Sequence, residues 1–392
     1  MNPTGAGRLN LDRVQRVTLG VGVVVSAVCV VAALDSPQQF FRSYLLAYLF
    51  WMNLALGCLA LVMLHHLVGG QWGMVIRRLL ESGTRTLPLL LLLFLPLVFG
   101  LQEIYPWTNP EEMAEPALQH KAVYLNVPFF LARAGIYFAV WLLLAYLLNR
   151  WSSRQDQSDQ PALGERLRVL SAPGLILYGL TATFASVDWV MSLEPHWFST
   201  VYGMMFILGQ VLAALTFVIV ILMLLSDRAP LAGFLRPQHF HDLGNLLLAF
   251  VMLWAYVSFT QYLIIWSGNL PEEIPWYLDR TGHGWQGIAV VLIVLHFAVP
   301  FVLLLNRPLK RRARALAGLA VGLFLLRWFD LFWIVSPAFY GAEVSVHWMD
   351  VALPIGLGGL WLTVFFGQVK GRPLLPLQDP NVKRALEEAP AA

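Results

Sequence analysis

Six ionisable residues stand inside or at the edge of long apolar runs in this 392-residue sequence: Glu103, Arg133, Asp188, His296, Arg327 and Asp330. A charge at the centre of a bilayer costs at least about 2.5 kcal/mol on insertion scales, so each needs a partner or a purpose. The chemistry open to them is proton relay, or hydrogen bonding to the hydroxyl of a quinol. Arg327 and Asp330 lie three positions apart on one helix face, where mutual neutralisation is the plain reading. Asp188 has no basic residue at helical spacing on its own run and calls for a partner from another helix such as Arg133 or, left unpaired, a raised pKa; with Arg133 or Glu103 it could form an outward proton relay. Thr181, Asp188 and Ser192 recur at i, i+7 and i+11, a polar stripe that suits proton relay and suits ordinary interhelical hydrogen bonding equally well.

Other redox and hydrolytic chemistries lack their residues. A membrane b-type haem takes two histidines facing each other across a bundle at matching depth. His65 and His66 end the second apolar run, while His196, His283 and His347 fall at or beyond the opposite boundary. His296 alone sits near mid-depth, and reads as a hydrogen-bonded interior histidine or as a member of a proton path. Neither Glu-x-x-His nor His-Glu-x-x-His occurs, and there is no phosphate-binding glycine loop or nucleophile motif. The two cysteines, Cys29 and Cys58, form no CxxC pair. The expectation is therefore no metal and no haem held by this chain.

The elements that must position these groups are membrane helices. Hydrophobic residues make up 58% of the chain and charged residues 12%, against about a quarter charged in soluble domains. A water-soluble fold of that composition would lack a surface. Ten runs are long enough to span: roughly 17–34, 44–66, 87–105, 128–148, 171–192, 200–225, 244–267, 285–305, 315–335 and 351–369. The expected fold is an all-α integral membrane protein, with residues 1–16 as a cytoplasmic N-terminus, 17–369 as one ten-helix domain and 370–392 as a cytoplasmic tail. Arg8, Arg13 and Arg16 before the first run resemble the start of a signal peptide, but a retained first span keeps the topology consistent. Of the 26 lysines and arginines, all but Arg42, Lys121, Arg280 and the intraspan Arg133 and Arg327 fall in alternate connections on one side. By the positive-inside rule that side, with both termini, is cytoplasmic. The same topology puts Glu103, Arg133, Asp188 and Asp330 toward the extracytoplasmic side.

The opposite connections are acidic and rich in aromatics and proline, as in Tyr105-Pro106-Trp107 and the 271–277 stretch. They fit an interfacial aromatic belt and also a docking surface for an extracytoplasmic partner. Nucleic acid is not an expected partner. A weak duplication is visible: Leu148-Asn149-Arg150 matches Leu305-Asn306-Arg307, and the next run in each half carries an aspartate before an aromatic segment, at Asp188-Trp189 and Asp330-Leu331-Phe332-Trp333. Possible repeats at 44–192 and 200–335 follow, as two four-helix bundles formed by spans 2–5 and 6–9 and flanked by spans 1 and 10.

Residues 184–203, FASVDWVMSLEPHWFSTVYG, resemble the long motif of the ActF-type membrane subunit of bacterial alternative complex III, as do 241–247, HDLGNLL, and 261–273, QYLIIWSGNLPEE. The resemblance runs from about the second span to the last. It implies a ten-span relative of the polysulfide-reductase-type, NrfD-like membrane subunits. It also implies a place in a respiratory quinol:cytochrome c oxidoreductase, where the chain is not catalytic alone. The expected partners are a sister NrfD-like membrane subunit, the better candidate for the quinol pocket, extracytoplasmic iron-sulfur and c-type cytochrome subunits, and membrane lipid. Haem and iron-sulfur clusters would then sit only in partner subunits, and quinone or quinol is the one cofactor this chain could itself contact. Asp188, Glu194 and His196 lie inside the resembling stretch. They join Arg133, Glu103, His296, Arg327 and Asp330 as candidates for a proton path or a quinol-adjacent site.

Overall fold

The computed structural model describes residues 11–157, 161–282, 284–341, 343–376, 378–379 and 382, and among them there is no strand. Among the described residues ten helices are long and apolar enough to cross a membrane: α1 (Asp12–Ala32), α2 (Pro37–Val68), α3 (Gln71–Phe99), α4 (Val127–Gln155), α5 (Ala162–Leu193), α6 (Tyr202–Leu224), α7 (Pro237–Gly268), α8 (Trp285–Leu305), α9 (Ala313–Val335) and α10 (Trp348–Lys370). The chain is an all-α, multi-pass membrane protein. Starts are marked by proline in the first helical turn of α2 and α7, where a missing N–H costs nothing. The Asn126 side chain caps α4 by accepting from the Phe129 N–H at 3.0 Å. Asn269, at φ 49°, closes α7 in the left-handed region.

Several helices exceed the apolar runs that signal them. The third begins at Gln71 and not near 87, because Met74 to Thr84 is buried helix in spite of Arg77, Arg78 and Glu81. These charges neutralise one another and are completed from elsewhere in the chain, as described below.

The core is organised around α2, whose most apolar stretch is wholly buried, and α6, which packs along it. Their closest approach is at Gly57, where a Cβ would fall 1.9 Å from the Gln210 carbonyl oxygen. Around this seam α2 contacts α3, α5 and α10, α4 leans on α5, and α6 contacts α5, α7 and α9. Helix α8 packs on α7 and α9. Residues Leu292–Ala298 of α8 are π-helical, whereas α4 is α-helical throughout.

Helices α1 and α10 flank the other helices as a pair. They pack against each other, α10 lies on α2, and most of α1 faces outward. The cause is a contact of small residues, which lets two backbones approach where lipid offers no hydrophobic driving force. A Cβ on Gly359 would lie 2.6 Å from the Gly22 Cα, and one on Gly22 would lie 2.6 Å from the Leu360 nitrogen. Thr18 and Thr363 hydroxyls meet at 2.9 Å beside them. Gly359→Leu is therefore expected to detach α1. Oxidative crosslinking of Thr18→Cys to Thr363→Cys checks this: the link forms in the parent background and is lost with leucine at 359. Retained crosslinking would mean that the glycine contact does not hold the pair.

Candidate functional site

Two buried polar centres lie toward the end of the bundle that carries the acidic connections. In the first, the α4 residue Arg133 donates Nε–H to Asp188 Oδ2 at 2.8 Å and Nη2–H to Oδ1 at 2.9 Å, a fork on both carboxylate oxygens. The Tyr137 hydroxyl donates to Oδ2 at 2.7 Å, and Arg133 Nη1 donates to the Tyr124 carbonyl at 2.9 Å. The guanidinium also lies 3.8 Å from the Tyr124 ring centroid and 4.4 Å from that of Phe129. Asp188 is 0% exposed. It takes Arg133, the expected partner, while the other relay candidate, Glu103, is exposed. Burial, with Asp188 nearby, pushes the phenols of Tyr105 and Tyr124 above their usual range.

The polar stripe on α5 does not form a chain of hydrogen bonds. Thr181 accepts from the Trp141 indole at 2.9 Å, and Ser192 donates to the Asp188 backbone carbonyl at 2.5 Å. Each side chain serves its own local contact. Aromatic rings wall the centre off: Trp189 packs on Phe94, Trp141, Phe138, Tyr48 and Tyr137. Asp188 is thus a saturated carboxylate in a dry setting, suited to holding α4 against α5.

The second centre joins α6, α7, α8 and α9. Arg327 Nη1 donates to Asp330 Oδ2 at 2.5 Å, as the three-residue spacing predicts. The Trp254 indole hydrogen-bonds the same carboxylate and its ring stands edge-on to His296, centroids 4.2 Å apart. His296 is 0% exposed, lies in the field of Arg327, and has no hydrogen-bond partner on either ring nitrogen. The expectation of a hydrogen-bonded interior histidine is therefore not met. Space for the Arg327 guanidinium exists because position 209 is glycine: a Cβ there would lie 2.1 Å from Nη2. The Arg327 Nε–H is also without a partner. Chemically, this is an imidazole with free donor and acceptor positions next to an ion pair, set in a π-helical turn.

The remaining candidates lie in the connections. Glu194 forms a double contact with Arg280, at 2.6 Å and 3.2 Å. Arg280 is fully buried, donates to the Ile334 carbonyl at 2.7 Å and lies 3.8 Å from the Trp276 ring, which stacks on Trp197 at 4.9 Å. This knot ties the segment after α5 to the segment before α8 and to the end of α9. His196 is exposed and 3.4 Å from Glu115; with Glu112 these groups come within 4.8 Å of one another. Glu115 and His196 are exposed and Glu112 is half-buried, and they lie on neighbouring connections.

Two buried networks were not evident from the sequence. Asp350 accepts from Ser43 at 2.6 Å and from the His347 N–H at 2.8 Å, completing the capping of α10. The apolar run starts at 351, one residue beyond it. At the other end of the bundle, Glu81 takes Arg77 at 2.9 Å, Arg78 at 2.7 Å and the Ser152 hydroxyl at 2.6 Å. Asp379 takes Arg77 at 2.9 Å, and Asp156 pairs with Arg78. The available signal was a glutamate three and four positions after two arginines, a helical spacing inside a segment that reads as a basic loop.

No protein-family model matches this chain, and the search of curated proteins returns no match.

Proposed function

We propose that this chain is the non-haem membrane subunit of a respiratory quinol:cytochrome c oxidoreductase of the alternative complex III type, in which it handles protons and holds partner subunits. The proton role is carried by one observation: a fully buried His296 with both ring nitrogens free, in a π-helical turn beside Arg327 and Asp330. Single π-helical turns are frequent at functional sites. A neutral imidazole donates at one nitrogen and accepts at the other, so it can pass a proton by exchanging the two roles. Asp330 supplies a nearby carboxylate, and Arg327 sets the field around both.

The class of complex rests on the resemblance of residues 184–203, 241–247 and 261–273 to ActF-type subunits. In this reading the chain sits in a bacterial cytoplasmic membrane with its basic end and both termini on the cytoplasmic side. Its aromatic connections, tied by Glu194 and Arg280, form a firm seat for extracytoplasmic iron-sulfur and c-type cytochrome subunits. A sister membrane subunit supplies the main quinol pocket. The electron carriers belong to the partners, and the contribution of this chain is positioning and proton movement. A secondary transporter is less well supported, because matching broken helices in both halves are its signature, and among the described residues the breaks do not match: α8 is interrupted and α4 is not, while α3 breaks at Arg85 and Thr86 and α7 runs through.

His296→Phe, which keeps a ring against Trp254 but cannot carry a proton, tests the assignment in the intact complex. Quinol:cytochrome c reductase activity is expected to fall by about 10²-fold, the low end for loss of a proton-transferring group, with c-type haem still co-purifying. Parental turnover with an unchanged pH profile and unchanged proton release would overturn it.

A further inference from the structure

An open groove of about 550 Å³ runs between α3, α4 and the end of α10 on the basic side of the bundle. Its two ends differ in chemistry. One is lined by Arg85, Arg150 and Arg372, the other by the apolar side chains of Pro88, Leu142 and Ala145. Leu142 and Ser153, both in the wall, are eleven positions apart on one helix, so the groove extends about 16 Å along α4 at 1.5 Å per residue. That is a path from the level of the helix ends into the apolar layer.

The cationic end is built. Asn149 Oδ1 accepts from Arg85 Nε at 2.8 Å, and Arg85 Nη2 reaches the Asn149 carbonyl and the Ser153 hydroxyl at 3.4 Å, which fixes the guanidinium plane. Its Nη1 side is left for a ligand. Arg150 donates to the Tyr146 hydroxyl at 2.9 Å and lies 5.7 Å from the centroid of the same ring. Arg372 has a buried Nη1 with no hydrogen-bond partner, and burial lowers its pKa from the ordinary guanidinium value. Among the described residues none of the three forms an ion pair. The carboxylates whose field reaches Arg372, Glu81 and Asp156, are already engaged by Arg77 and Arg78. Like charges gathered at one mouth with a free buried donor call for an anion, and the apolar floor calls for hydrocarbon attached to it.

We infer that this groove is a binding site for an anionic phospholipid, with the phosphate on Arg85, Arg150 and Arg372 and an acyl chain along Pro88, Leu142 and Ala145. Basic pockets between membrane helices on the positively charged side are where anionic headgroups bind. Here the guanidinium forks match phosphate oxygens in pairs. The site is independent of the proton-handling proposal, since it lies at the other end of the bundle.

Native mass spectrometry of the full chain in detergent, titrated with phosphatidylglycerol, tests it. One saturable lipid is expected, not displaced by an equal concentration of phosphatidylcholine or by glycerol 3-phosphate. Arg372→Gln and Arg150→Gln should each weaken retention about fivefold or more, from about 1 kcal/mol per basic residue near an anionic headgroup. Arg150 is exposed, so its replacement leaves the core untouched and keeps the test valid if Arg372→Gln fails to fold. Unchanged retention in Arg150→Gln overturns the site. Equal displacement by phosphatidylcholine removes the charge selectivity and also overturns it, and displacement by glycerol 3-phosphate would make it a soluble-phosphate site.

Discussion

Asp188→Leu is expected to destabilise the protein by about 3–5 kcal/mol, the usual cost of removing one partner of a buried ion pair. The reason is what it leaves behind. Arg133 would keep one hydrogen bond, to the Tyr124 carbonyl, and Tyr137 would lose its acceptor, with both groups still inside the bundle. The double variant Arg133→Met with Asp188→Leu removes the stranded charge as well, and replacing both members of a buried pair with apolar groups is often neutral or better. The melting midpoint in detergent, at one heating rate, should therefore drop markedly in the single variant and recover most of the loss in the double. Asp188→Asn separates the two uses of this carboxylate. If it serves as a clamp, the variant loses stability while proton release per quinol in the assembled complex stays at the parental value. Equal midpoints in parent and single variant would remove the clamp from the account of how α4 is held on α5.

What the sequence made legible follows from the range of each interaction. Hydropathy is local, so ten helices were readable from it, and the Arg327–Asp330 pair was readable because three positions on a helix are one face. The cost of burying Asp188 said that a partner had to come from another helix; which one depended on how α4 and α5 face each other. Arg77, Arg78 and Glu81 misled because charge density marks a loop when the neutralising groups are out of view. Asp156 and Asp379 are brought to them only by the packing of α4 and of the segment after α10. The exposure of Glu103 and the orphaned nitrogens of His296 are likewise tertiary facts, as is the π-helical turn, which leaves no mark on an apolar run. The pairing of α1 with α10 had a readable sign in Gly22, Gly356 and Gly359, but small residues alone do not say which helix they face.

Gly57→Leu should have the largest effect of any single replacement on assembly of the bundle. At this position the clash is with main chain: a Cβ would sit 1.9 Å from the Gln210 carbonyl oxygen, 2.5 Å from its carbon and 2.9 Å from the Ala214 Cβ. None of these atoms can rotate aside, so α2 and α6 would have to separate by at least about 1 Å along the seam that organises both halves. Gln210 also accepts the Tyr178 hydroxyl from α5, and that contact would be pulled with it. Overpacking a well-filled core costs about 1–3 kcal/mol even when side chains can adjust, and here they cannot. Gly135→Leu is the matched control: nothing lies within 4 Å of its would-be Cβ, and glycine inside a helix is itself unfavourable. In detergent extracts the control should elute as a single sharp peak like the parent, whereas Gly57→Leu should aggregate or be degraded, and Gly57→Ala should fall between the two. A sharp parental peak from Gly57→Leu would mean that α2 and α6 tolerate a wider seam, and that the close approach at Gly57 is not what sets the spacing of the two halves.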